Sequence, residues 1–88
     1  MTISAITKQV ATEHQAVLMR FREKDAFGNR QYDIKPDFQG KKRGWFVMDS
    51  MTASAIQGIY KAINETNRAK FDHIALPVLV NLAWKAVS

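Results

Sequence analysis

The sequence predicts one α+β domain: a short amino-terminal helix, a small antiparallel sheet built from a hairpin and a third strand, then three packed helices. Three observations carry that expectation. Apolar residues recur at helical spacing near both ends, a Gly28-Asn29 turn signal separates two strand-like segments, and 88 residues are too few for two cores. With 47% hydrophobic and 24% charged residues the chain has the composition of a folded protein, not a disordered one.

The elements follow in order. Ile3, Ile6 and Val10 recur at three and four, which predicts a first helix over about Ile3 to Thr12. Val17 and Phe21 continue that spacing, so a helix competes with a strand for residues 13–22. We favour the strand because Val17, Met19 and Phe21 alternate with Leu18, Arg20 and Arg22 up to the Phe27-Gly28-Asn29 turn. The return strand, Gln31 to Lys35, stops at Pro36, which has no N–H to give to a ladder. Residues 37–44 read as an exposed basic loop between glycines, and Trp45 to Met48 as a short apolar third strand from which Trp45 and Val47 enter the core.

Asp49 or Ser50 is a natural N-cap for a helix over about Met51 to Ile63, with Ile56, Ile59 and Ile63 on one stripe and Asn64 at the stop. Thr66 or Asn67 would cap a second short helix reaching Ile74, with Phe71 and Ile74 buried. Pro77 suits the start of a last helix ending near Val87.

Several function classes fall away by composition. The absence of cysteine removes disulfides, thiolate zinc sites and cysteine nucleophiles, and fits a reducing compartment. No basic segment followed by an apolar run opens the chain, and the apolar stretch from Ile74 is broken by Pro77, Asn81 and Lys85. The expectation is a cytoplasmic protein with no membrane contact. His14 and His73 are the only histidines and have no partner at one-turn spacing, so neither a metal site nor a catalytic dyad is legible. Gly40 and Gly44 lack the spacing of a phosphate-binding loop. The expectation is therefore a protein that is not an enzyme, with no cofactor, metal or small-molecule substrate.

Two binding surfaces stand out. Val78, Leu79, Val80, Leu82, Ala83, Trp84, Ala86 and Val87 leave the last helix only a narrow polar stripe, and a chain of this length has little protein to cover it, so either this helix is the central one or one flank meets another chain. A homodimer or other protein contact through Leu82, Trp84 and Val87 would cover it. Ser54, Gly58 and Ala62, at intervals of four, add a small-residue seam on the middle helix, suited to internal packing or to a close approach by another chain.

The alternative is weak, sequence-indifferent nucleic-acid binding. Net charge is +5, and residues 1–48 hold nine Lys/Arg against five Asp/Glu while residues 49–88 hold four against three. Arg20, Arg22, Lys24 and Arg30 of the hairpin would join Lys41, Lys42 and Arg43 of the loop, with Trp45 as a stacking ring. A helix-turn-helix over Thr52 to Ile74, presenting Arg68 and Lys70, fits poorly because Gly58 falls inside the helix.

The stretch Gly44-Trp45-Phe46-Val47-Met48-Asp49-Ser50, with Thr52-Ala53-Ser54-Ala55-Ile56 and Asn64-Glu65-Thr66-Asn67-Arg68-Ala69-Lys70-Phe71, resembles small accessory proteins of phages and prophages. The resemblance covers about half the chain. It implies a mobile-element origin, with no catalytic motif and no functional residues carried over.

Overall fold

The computed structural model describes residues 1–36 and 43–87, and it is α+β: one helix, a three-stranded antiparallel sheet, then three helices. Helix α1, Ile3–Glu13, starts where the Thr2 hydroxyl accepts from the Ala5 N–H, and stops at His14, whose left-handed φ of 56° ends the regular turn. Its buried stripe is Ile3, Ile6, Thr7 and Val10. Val17 and Phe21, which share the helical spacing, instead lie on strand β1, Val17–Lys24.

Strand β2, Arg30–Pro36, returns antiparallel beside β1. Asp25 holds the turn: its carboxylate accepts from the Phe27 and Asn29 N–H groups at 2.9 and 3.0 Å, and Gly28 takes the positive φ of 85° that the chain reversal requires. Strand β3, Phe46–Met48, pairs with the other side of β1, giving the order β2-β1-β3.

Helix α2, Ser50–Ala62, is capped by Asp49, which accepts from the Thr52 N–H at 2.8 Å. Asn64 caps the following helix α3, Glu65–Phe71, accepting from the Asn67 N–H at 2.9 Å, so it begins an element instead of ending one. Arg68 closes α2: its guanidinium donates to the Tyr60 and Lys61 carbonyls at 2.8 Å each, pairing acceptors that a helix end leaves bare. That contact occupies one of the two basic groups a helix-turn-helix would have presented. Helix α3 stops three residues short of Ile74, and α4, Leu76–Val87, has Pro77 in its first turn.

Helix α2 occupies the middle of the helical layer, packing on α1 to one side and α4 to the other. The core lies between these helices and the sheet face bearing Val17, Met19, Tyr32 and Met48. A buried polar link ties α1 to α2, because the Gln57 side-chain amide donates to Thr7 Oγ1 at 2.8 Å and to the Ser4 carbonyl at 3.0 Å. Asp72, after α3, accepts from both the N–H and the hydroxyl of Ser4, at 2.9 and 2.8 Å, and its own carbonyl accepts from the Arg30 N–H. One residue thus joins α1, the start of β2 and the turn into α4.

The third strand has the opposite phase to the expected one. Met48 pairs with Val17 and shares its core-facing side, and with side chains alternating, Trp45 and Val47 face the other way.

Candidate functional site: an apolar groove and a basic sheet end

Helix α4 buries Leu79 and Ala83 and exposes what lies on either side. Two residues along a helix turn the side chain by about 200°, so Leu82 and Trp84 stand on opposite flanks. Leu82 is 45% exposed and lies one turn from Val78, also exposed, on one flank; Trp84 is 41% exposed on the other. The single contact patch expected from the sequence is therefore divided. Val87 is the last residue of α4, and its side chain falls outside the described residues.

On the Trp84 side, α1, α2 and α4 enclose a groove of about 540 Å³ lined by His14, Ser50, Met51, Ser54, Ala55 and Trp84. Met51 is 70% exposed at its lip. A second groove, of about 400 Å³, runs between α1 and α2 past Lys8, Ala11, Thr12, Ser54, Gln57, Gly58 and Lys61. Ser54 forms the ridge between the two. Ser54, Gly58 and Ala62 are all exposed, and a side chain at Gly58 would meet open space. The small-residue seam is thus not used for packing within the described chain.

The basic residues are divided by the two faces of the sheet. On the outer face Asp33 lies between Arg20 and Arg22, at 3.6 and 3.7 Å, and Arg22 also reaches Glu23 at 3.4 Å. Exposed pairs of this kind add little stability. Trp45, half-buried, carries the Arg20 guanidinium 4.5 Å and the Lys35 ammonium 4.1 Å from its ring centre. Lys35 is on β2 and Trp45 adjoins β3, so the indole contact spans β1 and the side of Leu18, which is buried on this face outside the main core. Trp45 is therefore neither in the core nor a bare stacking ring.

On the inner face, the hairpin end of the sheet is open among the described residues. Phe21 is 45% and Phe46 37% exposed, the Arg30 guanidinium lies 4.9 Å from the Phe21 ring centre, and its Nε donates to the His73 carbonyl at 3.3 Å. Tyr32 meets Phe21 edge-to-face with centroids 5.9 Å apart. Burial raises the Tyr32 hydroxyl pKa from its ordinary 10.0, partly opposed by the Arg30 charge. Lys24 and Arg43 are exposed nearby in sequence, while Lys41 and Lys42 lie outside the described residues.

Phe21, Phe46, Lys35 and Met51 were not among the expected contacts. Strand alternation puts Phe21 on the core face, but its exposure depends on where β3 ends, which sequence does not signal.

Among the described residues, no group of three His, Asp or Glu side chains is placed to hold a metal ion, and no helix is long and apolar enough to cross a membrane. No known protein family, curated protein or solved structure matches the chain.

Proposed function

We propose that the protein is a small non-enzymatic binding protein that acts through contacts of its carboxy-terminal helices and forms a homodimer. The observation that carries this reading is the pairing of Trp84 and Met51, both well exposed, across an apolar groove between α2 and α4. Aromatic residues that become desolvated in a closely packed centre dominate interface energies, so Trp84 is the anchor and Met51 the adaptable neighbour. A second copy is the occupant proposed because one patch holding both a projecting ring and a groove meets itself across a two-fold axis. The division of α4 assigns Leu82 to the far flank, outside this contact.

Sedimentation across a range of concentrations tests it. The parent should be dimeric at micromolar concentration, Trp84→Ala with Met51→Ser should be monomeric and folded, and Leu82→Ser should still dimerise. A parent that stays monomeric at high micromolar concentration overturns the dimer. Loss of the dimer in Leu82→Ser alone overturns the assignment to the groove.

A further inference from the structure

Strand β1 outruns β3. β3 pairs only with Val17, Leu18 and Met19, whereas β2 follows β1 as far as Lys24. Beside Phe21 the sheet therefore lacks a third strand among the described residues, and a groove of about 350 Å³ opens there. Its walls are Phe21, Tyr32 and Phe46 with the start of α4 at Leu76 and Pro77, and Arg20 and Arg30 border it. Gly44, with a φ of 82° and open space where a side chain would stand, leaves the backbone bare at the rim next to Arg43.

Two kinds of extended ligand suit such a place, and the geometry separates them. The far edge of β2 is already closed, since Tyr32 exchanges backbone bonds with Met1 at 2.8 and 3.1 Å and Arg30 donates to Asp72 at 2.8 Å. Tyr32 thus points its backbone groups away from β1, and the alternation of antiparallel pairs aims those of its partner Phe21 at the open side. A peptide strand would need that edge to continue, but the register shifts between Phe21 and Glu23, and Arg22, Glu23 and Lys24 follow. A bulge and charged side chains are what stop an edge from accepting another strand. What the place offers is ring surface bordered by cations. Arg30 in its wall and Arg43 beside Gly44 at its rim are both basic, which suits phosphates.

We infer that this groove binds single-stranded nucleic acid, with bases stacked on Phe21 and Phe46 and phosphates on Arg30 and Arg43. Arg30 is positioned for it: its Nε is held by His73, and no acceptor among the described residues takes its terminal N–H groups. The inference does not depend on the dimer, whose residues lie elsewhere.

Fluorescence anisotropy with labelled oligothymidylate and oligouridylate of about eight nucleotides tests it, the two arms separating DNA from RNA. Binding should fall roughly 7-fold between about 50 and 200 mM salt, as two phosphate contacts on a single strand require. Phe21→Leu with Phe46→Leu keeps both positions apolar while removing the rings, and should weaken binding about ten-fold with the salt dependence unchanged. A duplex of the same length should bind more weakly. In the parent protein, a bromouracil-substituted oligomer should photo-crosslink to Phe21 or Phe46. The inference is overturned by unchanged affinity in a folded double-leucine variant, by crosslinks only elsewhere, by equal competition from an acidic octapeptide, or by no binding at about 50 mM salt.

Discussion

The flank of α4 and the hairpin end of the sheet both expose aromatic rings, but in opposite electrical surroundings. Around Trp84 the groove offers Met51, Ala55 and small hydroxyls, with His14 its one ionisable side chain. Around Phe21 stands Arg30, and on the opposite face Arg20 and Lys35 flank Trp45. Exposed apolar surface alone says that something will cover it; the neighbouring charges say what kind of thing. An uncharged groove suits another apolar protein surface, and rings bordered by cations suit a polyanion with flat bases.

The largest expected effect separates the two sides of α4. Leu79→Ala, at a site 1% exposed, should cost about 3 kcal/mol in denaturant unfolding, whereas Leu82→Ala should cost well under about 1 kcal/mol. Equal losses would mean that α4 does not pack as described. Next comes the tie between the regions: Asp72→Ala removes both acceptors of Ser4 and should cost about 2 kcal/mol, with Asp72→Asn recovering part of it. If Asp72→Ala left thermal stability unchanged, the helices and the hairpin would be held together by other means.

Smaller effects sharpen the picture of the sheet. Lys35→Ser takes one cation from the Trp45 ring and should cost roughly 0.5 to 1 kcal/mol, whereas Lys35→Arg should cost less. A cost equal to that of Leu79→Ala would make Trp45 part of a true core.

The smallest effects concern pH. Burial raises the Tyr32 hydroxyl pKa, so its contribution is complete below the ordinary 10.0 and is lost as the pH climbs through the folded value. Tyr32→Phe should remove that alkaline decline. At Asp25 desolvation opposes ionisation, but the N–H groups of Phe27 and Asn29 and the Gln31 amide outweigh it and lower the pKa from 3.8. Its contribution is therefore present above 3.8 and lost as the pH falls through the lower folded value, a loss that Asp25→Asn should abolish. Unfolding curves against pH check both.

The sequence made the α+β architecture and most element positions legible, through features whose physics is local. Gly28 in the turn, Pro36 at the end of β2, Asp49 as a cap and the Ile56 stripe each act within a few residues. Trp45 departs from the expected phase because a three-residue strand is too short for its alternation to set it, and pairing with β1 decides. Asn64 was read as a stop because the polar residue between two helices serves either end. The split between Leu82 and Trp84 follows from helical rotation, yet only burial of Leu79 and Ala83 shows which sides are left outside. For the site, the basic residues were visible individually; their division between two faces, and the exposure of Phe21 and Phe46, required the sheet.

The chain holds two tryptophans, Trp84 at the groove beside α4 and Trp45 on the outer face of the sheet, opposite the Phe21 groove. Intrinsic emission therefore carries two addresses without any label. Trp45 lies half-buried between cations and Trp84 opens on a groove, so their spectra and lifetimes should differ. Trp45→Phe leaves an optical probe whose signal follows dilution of the dimer, and Trp84→Phe leaves one that reports the outer face of the sheet and should change little when an oligonucleotide fills the Phe21 groove. The dimer is thus followed by one tryptophan while the other serves as an internal reference.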